Sequence, residues 1–146
     1  MEIKDAQVEN YDEILFRMNR YLQCNFMTGG QGQMNIMIAS DIHGSAYYCS
    51  KLMEAFEREG ADRLLLLGDL LYHGPRNDLP RDYAPKEVLH MLNEKKQKIF
   101  CVRGNCDTEV DQMVLEFPIL ADYAILEAET RLIYATHGHV FHLQHL

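Results

Sequence analysis

The sequence predicts a single α/β domain in which parallel strands alternate with helices. Short apolar runs alternate with amphipathic segments, and Gly, Asp, Asn or Pro stand between them, as in turns. Strand–helix–strand order indicates parallel strands, because a helical crossover returns the chain to the same end of the sheet. A length of 146 residues suits one domain with its own core.

The alternation of elements begins at Met34. The strands that we expect are residues 35–40, 63–67, 98–102, 122–127 and 131–136. The helices that we expect are residues 46–59, 85 to about 96, and 108–116. Residues 68–85 form a long loop, and the polar pair Glu129 and Thr130 is expected to turn the last two strands into a hairpin.

Residues 1–33 differ from the rest and are expected to form an N-terminal extension ahead of a domain over 34–146. Their apolar residues recur at helical spacing and predict a helix: Tyr11, Ile14, Leu15, Met18, Tyr21 and Leu22. The Gly/Gln-rich residues 27–33 predict a flexible linker. Their glycines do not fit G-x-G-x-x-G, which argues against a nucleotide-binding loop.

Composition excludes several classes of function. With 14 Lys+Arg against 22 Asp+Glu the net charge is −8, so we expect no strong general binding to nucleic acid or to a membrane surface. No apolar run is long enough to span a membrane, and the acidic N-terminus shows no signal peptide. The four cysteines form no C-x-x-C pair and predict free thiols in a reducing compartment, which we take to be the cytoplasm.

Polar segments follow the predicted strands at their carboxyl ends. They are Asp41-Ile42-His43-Gly44, Gly68-Asp69, Gly104-Asn105-Cys106-Asp107 and His137-Gly138-His139. Singly, each fits a turn or a cap, and a structural protein with capped strand ends is the simplest alternative. Together they predict a divalent-metal site, because ligands bind beyond the carboxyl ends of parallel strands. Carboxylate, imidazole and amide donors suit manganese, iron, zinc or nickel, and Asp69 is the natural bridge between two ions.

The segments resemble the first four motifs of the calcineurin-like metallophosphoesterases. A closer resemblance, over about residues 34–141, is to the bacterial YfcE-type phosphodiesterases. It is carried by ASDIHGS, LLLLGDLLYHGPRN, LP-x-x-YAP, VRGNCDTEVDQM and THGHVF. The resemblance implies a calcineurin-like β-sandwich flanked by helices, in αββα layers, and hydrolysis of phosphodiesters of small molecules.

The resemblance also implies a ligand set. Asp41 and His43 would bind a first ion, Asp69 would bridge, and Asn105 and His137 would bind a second. Mn²⁺ is the first choice for both ions, with Ni²⁺, Fe²⁺ and Zn²⁺ as alternatives. A metal-bridging hydroxide would attack phosphorus.

Further roles follow for residues around these ligands. We assign catalysis to Asp69, Asn105, Cys106 and Asp107, with Asp107 and Arg103 as supports of the ligands. Cys106, usual in the YfcE-type branch, stands where many relatives have His, and a thiol is a poor acid for an alkoxide leaving group. The residues assigned to substrate binding are His73, Arg76, Asn77 and Arg103.

The chain departs from the family after its His-Gly-His segment. It has no Gly-His-x-His motif, and His142 and His145 are not spaced to replace it. We therefore expect a fold truncated at the C-terminus, in which each ion lacks one imidazole. An altered reading frame, a gene-model error and deliberate shortening all stay open. The alternative function is an inactive phosphoesterase-like domain that serves as a protein-interaction scaffold, and self-association also stays open.

Overall fold

One mixed sheet organises the chain in the computed structural model, which describes residues 3–5, 22–28, 32–128 and 131–141. Within those residues the sheet has five strands in sequence order: β1 (Ile3–Asp5), β2 (Leu22–Thr28), β3 (Gly32–Ala39), β4 (Arg63–Leu66) and β5 (Ile99–Cys101). β1, β2 and β3 pair antiparallel, whereas β3, β4 and β5 are parallel. The predicted parallel core is thus present, with antiparallel strands added at one edge.

Two helices join the parallel strands, and a third short helix follows β5. They are α1 (Ala46–Arg58), α2 (Pro85–Glu94) and α3 (Glu109–Gln112), with a 3₁₀ turn at Lys96–Lys98. α1 begins at Ser45, whose side chain accepts a hydrogen bond from the Tyr48 backbone N–H, as an N-cap does. α2 begins with Pro85, whose fixed φ suits the first helical turn. The apolar faces of α1 and α2 are buried, as their spacing predicts.

Both faces of the parallel strands are covered. Met37 and Leu66 lie in the core beneath the helices, whereas Ile36 and Leu65 pack on the opposite face. That opposite face is covered by the hairpin of β6 (Ala124–Ala128) and β7 (Arg131–Ala135). Burial on two sides explains why these strands are continuous apolar runs. Helices, sheet and second sheet confirm the predicted layered α/β class.

The N-terminal extension differs from the expected helix and linker. Met27 and Thr28 end β2, and Gly32 and Gln33 begin β3, so these residues belong to paired strands and not to a free linker. Pairing supplies their backbone hydrogen bonds, which a linker would leave to water. Leu22 likewise starts β2. The rest of the expected helix lies outside the described residues, as do Glu129, Thr130, His142 and His145.

The third helix is shorter than residues 108–116. Thr108 and Asp111 form a reciprocal capping box at its start. The Gln112 side chain then hydrogen-bonds the Leu115 and Phe117 carbonyls and the Ile119 N–H, which turns the chain away from helical geometry. Across the part of the chain that the structure describes, the helices are all too short or too polar to cross a bilayer.

Candidate metal centre

Backbone hydrogen bonds join the loop that follows β3 to the loop that follows β4. Asp41 N–H donates to the Gly68 carbonyl and His43 N–H to the Asp69 carbonyl, each at 2.9 Å. The loop after β5 joins them, because the Cys106 N–H donates to Oδ1 of Asp69 at 2.7 Å. Residues distant in sequence therefore meet at one edge of the sheet, as the strand-end rule predicts.

Asp69 lies at the middle of this edge, with 2% of its surface exposed. Its Oδ2 lies 3.7 Å from Nε2 of His43 and 3.6 Å from Nε2 of His137. The two imidazoles thus face one carboxylate oxygen, although the histidines are 94 positions apart (137 − 43 = 94).

Backbone carbonyls set the orientation of both imidazoles. Nδ1 of His43 lies 2.7 Å from the Tyr72 carbonyl, and Nδ1 of His137 lies 2.7 Å from the Leu67 carbonyl. A carbonyl oxygen only accepts, so Nδ1 carries the proton and, in the neutral ring, Nε2 presents a lone pair toward Asp69. Metal-binding histidines are commonly held in this way.

Further lone pairs converge on the same space. Oδ1 of Asn105 lies 3.1 Å from Nε2 of His137, so that two acceptors face each other. Asp41 is 8% exposed, and its Oδ2 accepts from the Ser40 hydroxyl. Its buried Oδ1 has no hydrogen-bond partner, although it lies 3.4 Å from Nε2 of His43. Facing acceptors and an orphaned carboxylate oxygen are what a cation would satisfy, so these residues fit a metal centre.

The pKa of His43 reflects this concentration of negative charge. Burial lowers it, but contacts with Asp41, the Tyr72 carbonyl and Asp69 together raise it above the usual histidine value. Among the described residues, histidines are the groups that lie within ion-pair distance of Asp41 and Asp69. The carboxylates therefore lack the Lys or Arg partner that buried acids usually have.

The side chains form two overlapping groups of metal-type ligands. One is His43, Asp69 and Cys106, and the other is Asp41, Asp69 and His137, each with ligand atoms within 4.8 Å of one another. Asp69 is common to both groups. The grouping differs from the expected one, in which Asp41 and His43 share an ion and Cys106 is no ligand.

Cys106 is a neutral thiol in this environment. Burial, followed by the negative charge of Asp69, raises its pKa to about 12. The Asn105 amide donates to its Sγ at 3.2 Å.

Asp107 points away from the converging lone pairs. Its Oδ2 accepts from the backbone N–H groups of Asp69 and Gly104, at 2.8 and 2.7 Å, and its Oδ1 accepts from Leu70 at 2.9 Å. Both of its carboxylate oxygens thus tie two loops together, and its assignment to catalysis stays a prediction. Arg103 has a similar place, with Nε donating to the Asp107 carbonyl at 3.3 Å.

The backbone at this edge is strained. Asp41, His43 and Asp69 have φ values of 63°, 49° and 57°, in the left-handed region that side chains other than Gly seldom adopt. Gly104 meets a different demand, since a methyl group there would overlap the Asp69 carboxylate. Strained φ angles cluster at functional sites, where the surrounding contacts hold them in place.

A family model for calcineurin-like phosphoesterases matches residues 34–145. The chain belongs to the calcineurin-like phosphoesterase family. It is 51% identical over 108 residues to Phosphodiesterase YfcE of Escherichia coli, in strain K12 and in O157:H7. Each match covers 74% of this chain and 59% of the relative, so the chain spans less than two thirds of the relatives' length. A solved structure described as Yfce, a phosphoesterase from E. coli, superposes with a TM-score of 0.74 at 50% identity, covering 76% of this chain and 61% of that one.

The long loop of this calcineurin-like domain lies beside Cys106. A methyl group placed on Gly74 would lie 3.3 Å from the Cys106 Sγ. Asn77 donates from its side chain to the His73 carbonyl at 3.0 Å, and Arg76 is exposed. The His73 ring packs between the rings of two tyrosines, so its contact with phosphate stays a prediction, as do those of Arg76 and Asn77.

Spacing in the sequence could not reveal the groups that orient the ligands. The carbonyls of Tyr72 and Leu67 carry no side-chain signature, and the three backbone bonds to Asp107 depend on how the loops meet. Only the glycines beside each motif indicated a close approach of backbone.

Proposed function

We propose that this chain is a divalent-metal-dependent phosphodiesterase with a binuclear centre, acting on phosphodiesters of small molecules. The observation that carries the proposal is the position of Asp69, whose Oδ2 faces the Nε2 lone pairs of both His43 and His137. Membership of the family and 51% identity to curated phosphodiesterases support the reaction class.

The donor set supports hard or borderline divalent cations. We propose that Asp41 and His43, whose ligand atoms lie 3.4 Å apart, hold one ion together with Asp69. Asn105 and His137, whose ligand atoms lie 3.1 Å apart, would hold the other with Asp69, although Asp41 and His137 also share a ligand group. Oxygen donors outnumber nitrogen donors here, which favours Mn²⁺, with Ni²⁺, Fe²⁺ and Zn²⁺ as alternatives. When bound, such ions supply positive charge that polarises the phosphoryl group and generate hydroxide at neutral pH.

The chain's own residues set what the site can hydrolyse. Asp41, His43 and His137 hold their ligand atoms toward one space, and the two histidines do so without a change of tautomer. The thiol of Cys106 is a poor general acid for an alkoxide leaving group. We therefore propose that phosphodiesters with readily expelled leaving groups are hydrolysed fastest. The free thiols of Cys49 and Cys101 are in keeping with a reducing cytoplasm, where we propose the protein works.

The test is hydrolysis of bis(p-nitrophenyl) phosphate with added Mn²⁺, for wild type, Asp69→Asn and the exposed control Asp122→Asn. Asn keeps the shape of Asp69 but removes the charge shared between the two ligand groups. We expect Asp69→Asn to reduce kcat/KM by at least about 100-fold, or roughly 2.7 kcal/mol, and Asp122→Asn to match wild type.

The alternative function makes the opposite prediction. A scaffold without catalysis would show no Mn²⁺-dependent turnover in wild type and no difference between the two variants. That result would exclude the proposed phosphodiesterase.

A further inference from the structure

A chain of three aromatic rings leads from the candidate metal centre into the long loop. The ring of Tyr72 meets that of His73 edge-on, with centroids 4.9 Å apart, and His73 meets Tyr83 edge-on at 5.2 Å. The first member of the chain also touches the centre, because the Tyr72 carbonyl lies 2.7 Å from Nδ1 of His43.

The far end of this aromatic chain is anchored to the loop that carries His43. A methyl group on Gly44 would lie 2.5 Å from Cε2 of Tyr83, so the tyrosine ring lies directly against the glycine. Gly44 follows His43 in sequence. The three rings therefore connect the backbone at Gly44, next to His43, with the Tyr72 carbonyl that contacts the His43 imidazole.

Backbone hydrogen bonds hold the segment that carries Tyr83 against the start of α1. It forms an antiparallel bridge with Ser45, the Ala84 N–H donates to the Gly44 carbonyl at 2.8 Å, and the Asp82 carbonyl accepts from Ala46 at 2.9 Å. The fully buried Ser45 hydroxyl also donates to the Arg81 carbonyl at 2.5 Å. The backbone around Tyr83 is thus tied to the segment that follows His43.

The middle ring contacts both tyrosine rings edge-on. Nδ1 of His73 is buried and has no hydrogen-bond partner, so the contacts of its ring with the two tyrosines are packing contacts. A flat ring of this size is what the gap between Tyr72 and Tyr83 requires, and edge-on contacts of aromatic rings are favourable.

We propose that Tyr83 and His73 are positioning residues, which hold the Tyr72 carbonyl in place and thereby aim Nε2 of His43 at its metal ion. The inference rests on the proposed function, since it concerns the affinity of that ion. Groups that orient a metal-binding histidine typically change metal affinity by about 10–100-fold when they are removed. The inference assigns to His73 a packing role in place of contact with phosphate.

Two pairs of variants of the full chain test the proposal, each with a matched control. His73→Ala removes the middle ring, whereas His73→Phe keeps a flat ring without the imidazole nitrogens. Tyr83→Leu removes the terminal ring, and Tyr123→Leu makes the same change on the β6–β7 hairpin, where Tyr123 contacts Tyr134 and Phe141.

The first measurement is calorimetric titration of the metal-stripped protein with Mn²⁺. We expect His73→Ala and Tyr83→Leu to reduce the affinity for one of the two Mn²⁺ ions by about 10–100-fold. The affinities of His73→Phe and Tyr123→Leu should lie within about threefold of the wild-type values. Equal affinity in His73→Ala and wild type would refute the proposal. So would a His73→Phe variant as weak as His73→Ala, because the imidazole itself would then be required.

The second measurement, the tautomer of His43 by long-range ¹H–¹⁵N NMR, needs no metal. We expect a single Nδ1–H tautomer for His43 in wild type and His73→Phe, and a mixture in His73→Ala. A single tautomer in all three would refute the positioning role. Failure of wild type to bind Mn²⁺ would refute the proposed function instead, and the tautomer would still decide this inference.

Discussion

Removal of the Asp107 carboxylate is expected to destabilise the fold and to open the candidate centre together. Asp107 is 2% exposed and accepts from three backbone N–H groups, those of Asp69, Leu70 and Gly104. A buried donor that loses its acceptor costs about 1–3 kcal/mol. Three such donors give a loss of about 3–6 kcal/mol for Asp107→Ala, allowing for water that enters the space. Asp107→Asn keeps one acceptor oxygen, which can serve two of the donors, so we expect about 1–3 kcal/mol.

The measurement is urea unfolding followed by circular dichroism, in the presence of a chelator, with Asp122→Asn as the exposed control. Domains of this size are stable by about 5–15 kcal/mol, so Asp107→Ala should lie near the limit of folding. If the unfolding free energies of both Asp107 variants lie within about 0.5 kcal/mol of the wild-type value, the three hydrogen bonds do not hold the loops together.

The pH dependence of the same variant gives a second check. Burial raises the pKa of Asp107 above 3.8, although backbone N–H groups oppose the shift. A raised pKa in the folded state means that the contribution of this group to stability is present below its unfolded pKa and is lost as the pH rises through the folded value. Asn does not titrate, so the deficit of Asp107→Asn should be larger at pH 4 than at pH 7.

Three further predictions concern the loops, the core and the metal. Gly104→Ala should abolish Mn²⁺ binding in calorimetry, because the added methyl group overlaps Asp69, whereas Gly60→Ala meets nothing within 4 Å and should cost only about 1–2 kcal/mol for its φ of +60°. Burial raises the pKa of Cys49 from 9.0 to about 12, so its contribution to stability is present below pH 9 and is lost above it. Unfolding free energies measured at pH 8 and 10 should therefore fall by about 1.4 kcal/mol more in wild type than in Cys49→Val. Mn²⁺ at 100 times its Kd should stabilise the protein by about 2.7 kcal/mol per ion in thermal unfolding, chelator should reverse this, and an unchanged Tm would contradict the metal centre.

The parallel core could be predicted because its signals are local. After Arg63, the apolar run 64–67 of β4 leads directly into Gly68 and Asp69. The apolar residues of α1 recur at helical spacing between the Ser45 cap and Gly60. An element can be predicted from local sequence when the residues that form it and the residues that end it are adjacent in the chain.

β2 shows the limit of local signals. Leu22, Cys24 and Phe26 alternate with polar residues, which is a strand pattern, but Leu22 also completes the helical spacing that begins at Tyr11. The choice depends on pairing with β3, a contact that no window around residue 22 contains.

The candidate centre divides in the same way. The polar segments of the centre could be predicted from residue type and position after a strand, because sheet topology alone brings strand ends together, whereas the ligand set came from the family resemblance. The tautomers of His43 and His137 depend on two backbone carbonyls, and the role of Asp107 depends on N–H groups of a neighbouring loop. Such contacts exist only in three dimensions.

Because of the left-handed backbone at Asp41, His43 and Asp69, selection for stability and selection for activity should favour different residues at these positions. Glycine would be the more comfortable residue at each position, by about 1 kcal/mol or more, so a library of variants chosen for expression or heat resistance alone should drift toward glycine at these three positions. A library chosen for turnover should keep the side chains and accept the weaker fold. The places where the two libraries diverge would outline the working part of the molecule without any structure at hand.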